Sequence, residues 1–269
     1  GGNLMAKPKV AFFDFSCCEG CQLTVSNCED ELLDLVSHID IVNFREIMTE
    51  RSDDYDIAFI EGSCTREEEV ARLQKIRENA TIVVALGACA TIGGINCLKN
   101  FHDLDEVRQT VYGDKSHNFP TWETRPIDQV IKVDYHLHGC PIDRGEFLRV
   151  VKALLTGQTP TLPNYPVCVE CRLKENVCLY TQGKTCLGPI ARAGCGAICP
   201  EFGDSCVACR GIVDQPNIPY MIEVLHEHGL TYEEARQTTR MFLGYKTFQE
   251  KIQDADIPSL TESLQEGKS

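Results

Sequence analysis

Much that would mark a membrane, secreted or nucleotide-handling protein is missing from these 269 residues. No apolar run approaches the roughly 20 residues that cross a bilayer. The opening GGNLMAKPKV has neither the charged-then-apolar design of a secretory signal nor a twin arginine, and the Gly-Gly-Asn-Leu ahead of Met5 reads as the remnant of an added tag. These absences predict a chain that spans no membrane and stays in a reducing cytoplasm. Positive charge is also short, 26 Lys and Arg against 40 Asp and Glu, and the net charge of −14 argues against nucleic acid and anionic lipid as partners. There is no GxGxxG fingerprint, no phosphate loop and no nucleophile motif, so substrate chemistry is expected on another chain.

Cysteine, by contrast, is abundant: sixteen in all. Eight of them fall in CVECRLKENVCLYTQGKTCLGPIARAGCGAICPEFGDSCVAC, from Cys168 to Cys209, among too few large apolar side chains to make a core unaided. Disulfides or metal must hold such a stretch together, and a reducing compartment favours thiolate-bound metal. The eight divide into two consecutive quartets, Cys168, Cys171, Cys178, Cys186 and Cys195, Cys199, Cys206, Cys209, each opened or closed by a C-x-x-C pair. Zinc and iron-sulfur clusters both accept four cysteines. Iron-sulfur is favoured by Pro200 directly after Cys199 and by glycines (Gly183, Gly188, Gly194, Gly196, Gly203) that let backbone wrap a bulky group. It is also favoured by four more cysteines upstream, in a pattern zinc does not explain.

The preceding residues alternate strand and helix. Lys9–Phe15, Asp40–Phe44, Asp54–Ser63, Thr81–Ala90 and Ile131–Pro141 read as strands of a parallel sheet. Between them, one helix is expected across CQLTVSNCEDELLDLVSHI, and an acid-started helix over Thr65–Ala80 with Thr65 as N-cap. A third is expected from Gly145 to a stop at Gly157; residues 91–126 are read as short helices and a surface excursion. The fold class is α/β: a flavodoxin-like parallel sheet domain over 7–157, a small irregular cluster domain over 158–211 entered through TGQTPTLPNYP, and a helical extension over 212–269 with Thr231 as a cap and a mobile end. Open parallel sheets bind ligands at the carboxyl ends of their strands. Cys18 and Cys21 follow the first strand, Cys89 follows the TIVVAL strand, and Cys140 closes the last one, so three strand ends would deliver four thiolates to one crevice. Four separate buried cysteines are the plainer alternative.

Taken together, CCEGC, GACATIGG, HGCP and the eight-cysteine segment resemble the small, electron-transferring subunit of nickel-iron hydrogenases, and most resemble the cytoplasmic group that serves nicotinamide, deazaflavin or ferredoxin-linked partners. The resemblance covers residues 9–211. It implies three 4Fe-4S clusters: a proximal one on Cys18, Cys21, Cys89 and Cys140, a medial one on Cys195, Cys199, Cys206 and Cys209, and a distal one on Cys168, Cys171, Cys178 and Cys186. Membrane-linked members usually carry His at the first distal position and Pro where Cys199 stands; cysteine at both places implies four irons in all three clusters. Oxygen-tolerant members carry extra cysteines where Gly20 and Gly94 stand here, so that device is not expected. The implied partners are a nickel-iron large subunit, met in part through residues 91–126, and iron-sulfur or flavin redox subunits.

Tandem Cys17 leaves the choice of first ligand open, and the C-x-G-C spacing favours Cys18. Cys28, Cys64 and Cys97 read as ordinary buried thiols. Glu19 and Glu61 are the acids expected near the proximal site, as proton relays or as plain hydrogen-bonding groups, and His136 and His138 are read as structural. Two rivals remain: a complex-I-like 20 kDa subunit, which holds only the first of the three sites, and a zinc-ribbon interaction module fused to a flavodoxin-like domain.

Overall fold

The computed structural model describes residues 7–247. Five parallel strands, β1 (Lys9–Asp14), β2 (Asp40–Asn43), β3 (Ile57–Glu61), β4 (Ile82–Leu86) and β5 (Tyr135–Leu137), form one sheet in the order β2-β1-β3-β4-β5. This is the flavodoxin-like doubly wound order. Central β3 is buried at every residue, which is why the strands read as unbroken apolar runs and not as alternating patterns.

The two faces of the sheet support separate cores. Phe12, Phe59, Val84 and Leu137 face α1 (Gly20–Ser26), α2 (Glu29–Val36) and α6 (Arg144–Leu155) through Val25, Leu35, Phe147 and Val151, with Phe44 just past β2 in the same core. Phe12 stacks on Phe44 at 4.4 Å and on Phe59 at 5.0 Å. On the other face Ala11, Phe13, Ala58, Ile60 and Ala85 meet Leu73 and Ile76 of α3 (Glu68–Asn79) together with Ile127 and Ile131.

Local chemistry moves several expected boundaries. The single helix expected after β1 is two, broken at Asn27 and Cys28, where Glu29 takes φ 47° and the chain must turn. Thr65 does not cap α3; its hydroxyl lies 2.5 Å from that of Ser16, and Glu69 instead accepts the Thr65 and Arg66 N–H groups. The TIVVAL strand ends at Leu86 because Gly87, at φ 84°, turns the chain into α4 (Gly87–Ile92). Asp143 caps α6 through the Glu146 N–H, and Gly157 at φ 68° follows its end as expected. Residues 91–126 hold a 3₁₀ segment (Gly94–Phe101), α5 (Leu104–Tyr112) and a second 3₁₀ segment (Gly113–Asn118).

Beyond the sheet, regular structure thins to α7 (Val167–Leu173) and α8 (Ile198–Glu201), joined by turns. Two longer helices follow, α9 (Ile218–Glu227), capped by Asn217, and α10 (Tyr232–Thr247). Thr231 and Glu234 bond reciprocally at the start of α10, a capping box. Ile218, Met221, Ile222, Leu225, Ala235 and Leu243 share a third core with Val167, Leu187, Ile190 and Ala208, so the helical tail packs back on the cysteine-rich stretch. α10 also lies on α4 and the Gly94–Phe101 segment, with Arg240 over the Phe101 ring. The terminal stretch expected to be mobile lies outside the described residues.

Candidate metal centres

The first candidate centre sits at the carboxyl end of the sheet. β1 leads through Ser16 to Cys17 and Cys18, α1 carries Cys21 in its first turn, α4 carries Cys89, and β5 leads through Gly139 to Cys140 and a cis bond to Pro141. Cys21 and Cys89 therefore lie on short helices that open at the carboxyl end of the sheet. Glu61, at the end of β3 and 2% exposed, accepts the N–H groups of Cys21 (3.0 Å) and Gln22 (2.9 Å), satisfying the otherwise unpaired start of α1. Burial pushes its carboxyl up, and those two N–H groups oppose the rise. Glu61 thus accepts backbone hydrogen bonds at the start of α1, one of them from Cys21 itself. Glu19 turns the other way, toward Arg45 at 3.2 Å.

The thiols sense one another. Burial pushes Cys89 up to about 12, and the negative charge of Cys140 and Cys18 adds to it. Burial likewise raises Cys140, with Cys18 next, and it raises Cys21, with Glu61 and then Cys89 contributing. Glycines make the room: a Cβ on Gly20 or Gly94 would stand 3.3 Å from the sulfur of Cys18 or Cys89, and one on Gly87 would overlap the sulfur of Cys21. Cys17 is also raised by burial, to about 12, but its thiol turns back to the Phe15 carbonyl at 3.5 Å. Cys28, Cys64 and Cys97 are fully buried and point at the carbonyls of Thr24, Arg66 and Thr124.

In the cysteine-rich stretch, Cys168 and Cys171 stand three residues apart on α7, while Cys178 and Cys186 come from the turns after it. Burial raises Cys168 to about 11, and Cys186, Cys171 and Cys178 add their charge. A Cβ on Gly188 would stand 3.3 Å from the Cys168 sulfur and 3.4 Å from that of Cys186. The other quartet, Cys195, Cys199, Cys206 and Cys209, lines a cavity of about 220 Å³. At about 30 Å³ per water, that hollow has the volume of several water molecules, enough for a multi-atom inorganic core. Burial raises Cys209 to about 11, with Cys195 and Cys140 next, and it raises Cys206 with Cys186, Cys209 and Cys195 adding.

These contacts also order the centres. Cys209 neighbours Cys140 of the sheet-end group, and the Cys206 N–H lies 3.3 Å from the Cys186 sulfur. The Cys195–Cys209 group thus stands between the other two. Among the described residues no three His, Cys, Asp or Glu side chains converge tightly enough for a single metal ion. Zinc, with sulfur bonds of about 2.3 Å, draws its thiolates to within roughly 4 Å of one another. The hollow lined by Cys195, Cys199, Cys206 and Cys209 has room for a larger core. Its positive irons would supply the charge that burial and mutual repulsion withhold from these thiols.

Sequence reasoning missed the residues between the groups. Arg210 and Glu146 form an ion pair at 2.7 Å with side chains only 3% and 1% exposed. An arginine directly after a ligand-type cysteine was a signal; nothing marked Glu146, which is an ordinary helix acid by its sequence. His138, read as structural, is half-buried with its Nδ1 3.0 Å from the Thr91 hydroxyl, and desolvation together with the nearby Arg192 and Arg210 charges holds it well below its usual range.

Residues 18–154 match the family described as the NADH ubiquinone oxidoreductase 20 Kd subunit. Sulfhydrogenase 2 subunit delta of Pyrococcus furiosus is 32% identical over 236 residues, covering 87% of this chain and 98% of its own. The chain belongs to this family of hydrogenase and 20 kDa-type oxidoreductase subunits. A subunit of the F420-non-reducing hydrogenase vhu of Methanocaldococcus jannaschii is 35% identical over 238 residues, covering 77% of this chain and 83% of that one. Among solved structures, a chain of an NAD+-reducing [NiFe]-hydrogenase in the H2-reduced state superposes with a TM-score of 0.53 and 28% identity, over 58% of this chain and 96% of its own. The family match ends at residue 154, ahead of all eight cysteines from Cys168 to Cys209. Among the described residues of this family member, no helix is long and apolar enough to cross a membrane.

Proposed function

We propose that this hydrogenase subunit carries electrons between the nickel-iron site of a large subunit and redox partner subunits, through three 4Fe-4S clusters. Cys18, Cys21, Cys89 and Cys140 hold the proximal cluster, Cys195, Cys199, Cys206 and Cys209 the medial, and Cys168, Cys171, Cys178 and Cys186 the distal. Clusters so held take up and release single electrons. The protein's own part is to fix their sequence in space, keep water away and set the charge around them. The observation that carries the reading is the continuity of the thiol groups, Cys140 beside Cys209 and the Cys206 N–H on the Cys186 sulfur. Three isolated metal sites would have no need of such contacts. The eight-cysteine stretch beyond residue 154 speaks for a three-site hydrogenase subunit over a 20 kDa-type subunit with one.

The proximal end faces the large subunit, the distal end a flavin or iron-sulfur partner, and the complex works in the cytoplasm. The divisions 7–157, 158–211 and 212–269 follow the same logic, one site on the sheet and two in the cysteine-rich stretch, with the tail buttressing the latter. Anaerobic purification tests the whole. About twelve irons with matching acid-labile sulfide per chain, and reduced-cluster EPR signals, are expected; about two zincs in a colourless protein would refute it.

A further inference from the structure

Arg210 and Glu146 form the most buried ion pair among the described residues. The guanidinium spends nearly all its donors. Nη2 reaches both Glu146 oxygens at 2.8 and 2.7 Å, Nε donates to the Ala193 carbonyl at 2.7 Å, and Nη1 donates to the His138 carbonyl at 2.6 Å. His138 in turn meets Thr91. Each partner lies next to a thiol of the proposed centres: Arg210 follows Cys209, Ala193 precedes Cys195 by two residues, His138 precedes Cys140 by two, and Thr91 follows Cys89 by two. A Cβ on Gly194 would overlap the guanidinium, and at φ 113° the position belongs to glycine, so the backbone is shaped to admit the arginine. Burying two charges is costly until pairing and hydrogen bonds repay it. A pair placed at that cost between two charge-changing centres does more than fill space.

We propose that Arg210 and Glu146 are positioning residues that lock the proximal and medial clusters in register and, as neighbouring opposite charges, balance the reduction potentials of both. This rests on the three-cluster reading. An arginine cannot shed its proton in a protein. Neutralising its partner therefore leaves a lone cation beside both centres, and a cation favours the reduced, more negative form.

The test is redox titration of the anaerobically isolated complex, followed by EPR, with iron and sulfide counted in each variant. Glu146→Gln is expected to keep full iron and to raise the reduced-to-oxidised ratio of the proximal and medial clusters at least tenfold at fixed potential, about 59 mV for one electron. The distal cluster should not move, and the double variant with Arg210→Gln should return both shifted clusters toward wild type. A fully loaded Glu146→Gln protein with unmoved potentials, or with the distal cluster moved equally, overturns the proposal. Should Glu146→Gln fail to assemble, Arg210→Lys replaces it. Iron lost from the two flanking centres with the distal one intact supports the proposal; wild-type iron and potentials, or loss reaching the distal centre, overturn it. Wild-type protein without labile sulfide would instead defeat the three-cluster reading itself.

Discussion

The sheet-end thiol group and the two thiol groups of the cysteine-rich stretch set the same side chain on opposite foundations. Cys18, Cys21, Cys89 and Cys140 hang on elements whose hydrocarbon cores lie on either side of a five-stranded sheet. Between Cys168 and Cys209 the helices run to seven and four residues, and the local core is largely Val167, Leu187, Ile190 and alanines, completed only by α9 and α10. A helix that short is not stable alone. In the first region the fold makes the site; in the second, on the proposed three-cluster reading, the site makes much of the fold.

Removing the metal tests this contrast most severely. After anaerobic chelation, hydrogen exchange should show β3 and β4 still protected while 166–213 loses most protection, since metal–thiolate bonding in small metal-dependent domains contributes on the order of 10 kcal/mol to folding. Equal protection in both regions would break the comparison. Next in size is Cys140→Ser, expected to remove about four of about twelve irons, to abolish dihydrogen oxidation by the complex and to leave the sheet folded. Full iron and full activity in that variant would reassign the ligand. Cys199→Pro should keep the total fold but convert the medial cluster to a three-iron form, read as a new EPR signal in the oxidised protein; an unchanged signal would redraw the quartets.

Gly87→Ala works on the rigid side. At φ 84° with its Cβ pressed on the Cys21 sulfur, alanine should cost about 1–2 kcal/mol in backbone strain and weaken proximal iron alone. A thermal midpoint and proximal EPR intensity both like wild type would show that the sulfur cradle yields easily. The smallest effect belongs to the rim of the sheet, where burial pushes the Asp134 carboxyl up but Arg77, at 2.5 Å, and the Val83 N–H outweigh it and hold it below the usual range. A depressed carboxyl stabilises the fold above its unfolded value of about 3.9 and loses that contribution as pH falls through the folded value. Asp134→Asn should therefore cost about 1 kcal/mol at pH 7 and almost nothing near pH 2, by exchange of the β4 amides; a cost that persists in acid would assign the effect to packing.

What the chain announced in advance follows from how local each cause is. Unbroken apolar runs named the strands because both faces of a parallel sheet are covered, and cysteine spacing pointed to quartets because neighbouring thiols on a turn or helix are a local matter. Thr65 misled because the acid that caps its backbone, Glu69, competes from one turn on, while its own hydroxyl found Ser16 across the sheet. The break at Cys28 and Glu29 left no glycine or proline to mark it. Glu61 was noticed by its position at a strand end, but its two N–H partners 40 and 39 residues away exist only once α1 is docked. Arg210 and Glu146 stand 64 residues apart, and no pattern within either segment foretells the other.

The tail has a mechanical consequence for this arrangement. His228, just past α9, sets its ring edge-on at 4.5 Å to Tyr180, whose hydroxyl holds the Cys186 carbonyl, while α10 rests on the segment that begins with Gly94 beside the Cys89 sulfur. The helical tail thus touches the cradle of Cys89 at one place and the turn that carries Cys186 at another. Like a splint laid across a row of beads, it fixes the span between the outermost members by oily contact, independent of anything strung between them.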